Sequence, residues 1–249
     1  MQYDERMSVA AQTTGASSGL PRALPAPSIK RFVPNALTVL RVVLAAAFFV
    51  ILSIWPGVAP HEGRRPPGVG IEPTLLLVSV IFIVAALTDA LDGWLSRKWN
   101  VTSAFGRVMD PFADKVLVIG AFVFLAGPGF RTPVHGGGWL QVTGVLPWMV
   151  IVVMARELLV TSIRGVVEGR GGKFGATFSG KAKMIVQAAA VPTVLATVSI
   201  FDVSRGSAGR TLVDGVVWAT VVVTVLSGLP YVVRGVAALR DAHDAGHGA

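Results

Sequence analysis

The stretch Thr88-Asp89-Ala90-Leu91-Asp92-Gly93-Trp94-Leu95-Ser96-Arg97 closes a run that is apolar from residue 73 onward. A bilayer-spanning helix needs about 20 mostly apolar residues. A charged side chain at the centre of such a helix costs about 2.5–3.5 kcal/mol on insertion scales. Two carboxylates in such a segment are therefore functional candidates, provided that the chain is a membrane protein.

Composition answers that condition. Of the 249 residues, 53% are hydrophobic and 14% charged, and the mean hydropathy is +0.65. A soluble domain carries about a quarter charged residues, so an ordinary soluble enzyme, a disordered chain and a fibrous repeat are excluded. The absence of cysteine excludes a disulfide scaffold, a thiolate zinc site and a thiol nucleophile. Six stretches reach spanning length, at 36–55, 73–95, 105–127, 144–166, 181–201 and 211–238, with Pro/Gly-rich breakers between them. The fold class expected is an all-α integral membrane protein with six transmembrane helices. Residues 1–29 read as a disordered arm without the apolar core of a cleaved signal peptide, 30–240 as the membrane domain and 241–249 as a polar tail. With the N-terminus inside, 17 basic residues fall on inner segments and 5 on outer loops. The positive-inside rule then puts both termini in the cytoplasm, in a cell (inner) membrane protein, and the net charge of +8 needs no nucleic-acid partner.

The acids continue beyond the loop, at Asp110 and Asp114. On a helix Asp89 and Asp92 stand about 60° apart, Asp110 and Asp114 about 40°, with Gly93 and Arg97 on the same side as Asp89. A loop at about 97–104 makes the two helices antiparallel neighbours, so the acidic faces meet at the cytoplasmic end. Four bare carboxylates repel one another, and two Mg²⁺ or Mn²⁺ ions with oxygen ligands relieve the repulsion. Such pairs of ions polarise phosphoryl oxygens. Arg97 suits a diphosphate, and Gly93 leaves a ligand room to approach the backbone. The plainer alternative pairs the acids with Arg97, Lys98, Arg107 and Lys115 as a solvated rim.

The set Asp89, Asp92, Gly93, Ser96, Arg97, Gly106, Asp110 and Asp114 resembles the signature of the CDP-alcohol phosphotransferases, with Ser96 where that family usually has Ala. The resemblance implies a six-helix membrane enzyme, a homodimer, with two divalent metals. It implies transfer of a phosphatidyl group from a CDP-linked lipid such as CDP-diacylglycerol to an alcohol, releasing CMP. Carried over by position, Asp89, Asp92, Asp110 and Asp114 are metal ligands, Asp114 is also the general base, and Gly93, Arg97 and Ser103 contact the CDP group. The run from Pro34 to Arg41 resembles the family's first helix, giving Asn35 and Thr38 to the CDP-lipid. Asn35 also reads as a plain N-cap, which leaves Arg41 unexplained.

A second polar set comprises Arg156, Glu157 and Arg164 in the fourth segment and Lys181 and Lys183 at the start of the fifth. Arg156, Arg164 and Lys181 are expected to hold an anionic acceptor. Lys183 and Arg170 read individually as snorkelling anchors on the inner side. The runs Ala155-Arg156-Glu157-Leu158 and Gly180-Lys181-Ala182-Lys183 resemble the phosphatidylglycerophosphate synthases, which implies glycerol 3-phosphate as acceptor, with inositol phosphate the runner-up. A divalent-cation transporter is the rival from another class. It lacks an acidic path, because Glu157 is the only acid deep in the other four segments. The four histidines are scattered in loops and tail, and Trp55, Trp94, Trp99, Trp139 and Trp148 sit near helix ends as interfacial anchors.

Overall fold

The computed structural model describes residues 29–58, 71–99, 104–134, 136–169 and 178–247. Its long helices are α1 (Ile29–Ile54), α2 (Pro73–Trp99), α3 (Ala104–Leu125), α4 (Pro147–Gly169), α5 (Phe178–Ile200) and α6 (Ala208–His247). Each covers one of the apolar segments, and the protein is an all-α membrane protein. Four of the helices, α1, α2, α5 and α6, contain stretches long and apolar enough by composition to cross a membrane. The other two carry charges within their length: α3 holds Arg107, Asp110, Asp114 and Lys115, and α4 holds Arg156, Glu157, Arg164 and Glu168.

The helix ends differ from the sequence reading in three places. α1 begins at Ile29, so Asn35 lies inside the helix and is not its N-cap. α2 runs on to Trp99, where Lys98 Nζ sits 4.5 Å from the centre of the Trp94 ring one turn back. α6 continues to His247, because the residues after Gly235 include Ala237, Ala238, Ala242 and Ala245, all strong helix formers. The Gly-rich loop after α3 is not featureless either. Its strands β1 (Arg131–Pro133) and β2 (Trp139–Gln141) pair antiparallel, Arg131 opposite Gln141.

Inward stripes at helical spacing assemble the bundle. On α1 the stripe is Thr38, Arg41, Ala45, Phe48 and Leu52, and on α2 it is Leu75, Val78, Phe82, Ala85 and Asp92. The two run antiparallel, so Phe48 meets Phe82 with ring centres 5.6 Å apart, and Arg41 meets the acids of α2. The outer faces are apolar as well: Val43, Val50, Ile54, Leu77 and Val80 are all more than half exposed. In lipid such faces provide no hydrophobic drive for helix association, so close packing and interhelical polar contacts must hold the helices together. Gln187 Nε2 donates to Thr224 Oγ1 at 2.9 Å between α5 and α6. Gly235 of α6 lets α4 come close, since a Cβ there would meet Ile163 at 2.7 Å.

Candidate functional site

In four helices the inward stripe carries a charged residue toward the same end of the bundle. Arg41 prolongs the stripe of α1, and Asp89 and Asp92 that of α2. Glu157 follows Met149, Val150 and Val153 on α4, and Lys183 precedes Gln187, Ala190 and Val194 on α5. The periodicity that packs the bundle therefore also delivers its ionic groups inward, where desolvation forces them to find partners.

Arg41, only 1% exposed, forks across two carboxylates. Its Nη1 lies 2.6 Å from Asp89 Oδ1 and its Nη2 2.9 Å from Asp92 Oδ2. Thr38 Oγ1 also donates to Asp92 Oδ2, at 3.1 Å. That hydroxyl thus helps to hold the carboxylate. The second cluster centres on Glu157 Oε1, which receives Lys183 Nζ at 2.6 Å and Arg156 Nη1 at 3.1 Å. Arg156 reaches on toward the Ser227 carbonyl, 3.5 Å away, with its guanidinium carbon 5.8 Å from the Tyr231 ring centre. Gly228 makes room for it, because a Cβ there would stand 3.3 Å from Arg156 Cγ.

Two cavities open onto these clusters. One, of about 190 Å³, has Arg41, Asp89, Asp114, Glu157 and Lys183 among its polar lining and Phe82, Leu117 and Met184 among its apolar lining. The other, of about 490 Å³, is lined by Lys115, Arg156, Thr161, Arg164 and Tyr231. Asp114, Glu157 and Lys183 border both, so the cavities adjoin. The Nε atoms of Arg156 and Arg164 are buried and meet no hydrogen-bond acceptor among the described residues. Planar donors left open in a cavity favour an anion.

The structure thus brings Asp89, Asp114, Arg156 and Arg164 to cavity walls, with Asp92 and Thr38 behind them. Ser103 lies outside the described residues. Of Ser96, Arg97, Asp110 and Lys181 only the helical backbone is described, and Asn35 and Gly93 sit at the same end of α1 and α2. Asp89 and Asp92 draw a cation from α1, Arg41, which the rim of α2 and α3 residues did not include. Lys183 is not a snorkelling anchor, being buried and bonded to Glu157. Its place on the stripe with Gln187, Ala190 and Val194 was the signal for that. Tyr231 was not foreseen, because nothing local distinguishes it from an interfacial aromatic.

Residues 31–226 match the family described as CDP-alcohol phosphatidyltransferase. The chain is 32% identical over 213 residues to the CDP-diacylglycerol--glycerol-3-phosphate 3-phosphatidyltransferase of Bacillus subtilis, covering 85% of this chain and 98% of that one. It is 31% identical to a probable phosphatidylglycerophosphate synthase of Mycobacterium tuberculosis, over 83% of this chain and 81% of the other. A third relative, from Haemophilus influenzae and bearing the same name as the Bacillus protein, is 30% identical over 66% of this chain and 75% of its own.

Proposed function

The chain belongs to the CDP-alcohol phosphatidyltransferase family, and from that premise we propose that it transfers the phosphatidyl group of CDP-diacylglycerol to glycerol 3-phosphate, giving phosphatidylglycerophosphate and CMP in phospholipid synthesis. The observation that carries the acceptor is the 490 Å³ cavity, where Arg156 and Arg164 hold buried, unmatched donors beside Asp114. A cationic alcohol would leave the Arg164 charge and both Nε donors unanswered, whereas a phosphate monoester meets them.

Divalent cations fit the donors. The carboxylates of Asp89 and Asp114 line one cavity, Asp92 stands behind Asp89, and all are hard oxygen donors. Asp89, Asp92, Asp110 and Asp114 would hold two Mg²⁺ or Mn²⁺ ions, which supply Lewis-acid polarisation of the phosphoryl oxygens when bound. Arg41 holds the carboxylates of Asp89 and Asp92 by one oxygen each, so their orientation would not depend on the ion. By position in the family signature, Gly93, Arg97, Ser103, Asn35 and Thr38 would contact the CDP-lipid, while Arg156, Arg164 and Lys181 would bind the acceptor phosphate. Asp114, on the wall between the cavities, takes the proton of the acceptor hydroxyl. The hydroxyl oxygen then bonds to the β-phosphorus as the bridging bond to CMP breaks.

In the same reading all six helices cross the inner membrane, with both termini and the site on the cytoplasmic side. The distribution of basic residues supports this orientation. Pairing as a homodimer is carried by the family likeness. The test is an acceptor panel: purified protein, CDP-diacylglycerol and Mn²⁺, with each candidate alcohol scored for CMP release. Glycerol 3-phosphate is expected to be fastest, and faster release with inositol phosphate at equal concentration would overturn the acceptor.

A further inference from the structure

Glu157 takes no part in the reaction as written, yet it is buried where both cavities meet. One of its oxygens, Oε1, holds two cations from different places: Lys183 of α5 at 2.6 Å and Arg156 of its own helix at 3.1 Å. α4 packs chiefly on α6 and α3, and α5 chiefly on α6 and α2. The Glu157–Lys183 pair therefore ties together two helices that share little other packing, and it stands in the wall between the cavity of Asp89 and the cavity of Arg164. Burying such a cluster costs desolvation energy that a well-packed apolar group would avoid, so bundle stability alone is a poor reason for it.

Its charge arithmetic suggests another reason. Glu157 cancels one of the two cations it touches, and it competes for both with any anion entering the larger cavity. Without it, Arg156 and Lys183 would both be released to close on a phosphate. The bound state would be stabilised without any matching gain in the transition state, which slows turnover.

We propose that Glu157 is a positioning residue: by holding Lys183 in the wall and detaining Arg156, it sets where the acceptor phosphate rests and how tightly, keeping the acceptor hydroxyl within reach of Asp114. This rests on the acceptor-phosphate reading of the larger cavity. It assigns that cavity a restraint in addition to its attractive groups.

The test uses the purified full chain in detergent. One arm measures equilibrium binding of inorganic phosphate, and the other steady-state turnover with CDP-diacylglycerol and glycerol 3-phosphate. E157Q is expected to bind phosphate about tenfold more tightly, as removal of an adjacent like charge should allow. Its KM for glycerol 3-phosphate should fall with that, while kcat drops by a similar factor. E157D should lie between E157Q and the wild type in both measures. A folded E157Q that binds phosphate no more tightly than the wild type overturns the proposal. If E157Q does not fold, E157D decides: unchanged phosphate affinity and unchanged kcat overturn it. Phosphate binding that Arg156→Ala leaves unaltered in the wild-type background removes the cavity reading and this role with it. Tightening in E157Q, with a different alcohol phosphate as best acceptor, removes glycerol 3-phosphate alone and leaves Glu157 its role.

Discussion

The two ends of the bundle use polar groups in different ways. At the hairpin end they saturate backbone. The Leu125 carbonyl at the end of α3 accepts from Gln141 Nε2 and Thr143 Oγ1, each at 2.6 Å, and Arg210 Nη1 donates to the Gln141 carbonyl at 2.6 Å. Arg210 also pairs with Asp214 at 2.8 Å, one turn along its own helix. The first two bonds satisfy a carbonyl that the end of α3 leaves without a partner, and the third meets a carbonyl of β2. At the other end, Arg41, Asp89, Glu157 and Lys183 bond mainly to one another, across helices, on the walls of cavities. Polar groups that close off backbone build the fold. Charges held against charges beside open space remain available to a ligand.

The largest effect should come from the group that this contrast leaves to chemistry. Asp114→Asn should lower CMP release by about 10²–10⁴-fold, the range lost with a general base. CDP-diacylglycerol binding should stay largely intact, and full turnover in that variant would reject Asp114 as the base. Arg41→Met comes next. It strands two carboxylates that now share one guanidinium, and breaking a buried pair typically costs about 3–5 kcal/mol. Thermal unfolding in detergent with EDTA should show that deficit. Titration with Mn²⁺ should recover part of it, because cations replace the lost charge between Asp89 and Asp92. A deficit indifferent to Mn²⁺ would count against those two residues as ligands.

How far the sequence reveals this contrast depends on the range of each interaction. The helices were legible because apolar runs of spanning length leave little else to form. The acids were legible because Asp89, Asp92, Asp110 and Asp114 are costly on any apolar helix, whatever their partners. The partner of Asp89 and Asp92 was not. Arg41 lies 48 residues before Asp89, and only the packing of α1 on α2 brings them together. Lys183 shows the same limit: a lysine near a helix end has the same local pattern whether it snorkels outward or turns in to a glutamate of another helix. The hairpin was missed for a different reason, since strands of three residues carry too little alternation to stand out from a Gly-rich loop.

The hairpin end predicts smaller and purely structural effects. Thr143 is fully buried, and Thr143→Val keeps its shape while removing one of the two donors to the Leu125 carbonyl. The hydroxyl also accepts from Gln141 Nε2 at 3.3 Å and from the buried Val145 N–H at 3.4 Å, so a loss of about 1–3 kcal/mol is expected, the cost of leaving such a buried donor without its acceptor. kcat and KM measured below the unfolding transition should not move. If they do move, the two ends are coupled and the division drawn between them fails.

The smallest effect lies in the turn between α5 and α6. Asp202 accepts from Ser204 twice, from the hydroxyl at 2.6 Å and from the backbone N–H at 2.9 Å. The hydroxyl bond first, then the backbone bond, hold its carboxyl below the usual aspartate range. Next to it, Ser207 Oγ accepts from the Arg210 N–H at 3.1 Å and so caps the first turn of α6. A carboxylate with a depressed folded pKa contributes stability that is complete above its unfolded value, about 3.9. That contribution is lost as pH falls through the lower folded value. Asp202 is exposed, so solvent screening keeps it small. Asp202→Asn, which cannot ionise, should unfold slightly below the wild type at neutral pH, and the gap should close as the pH is taken below about 4. A gap of constant size down to acid pH would mean that the turn is held by the shape of its bonds and not by the charge. The hairpin end would then owe nothing to ionisation at this position, and its contrast with the Arg41 end would be sharper.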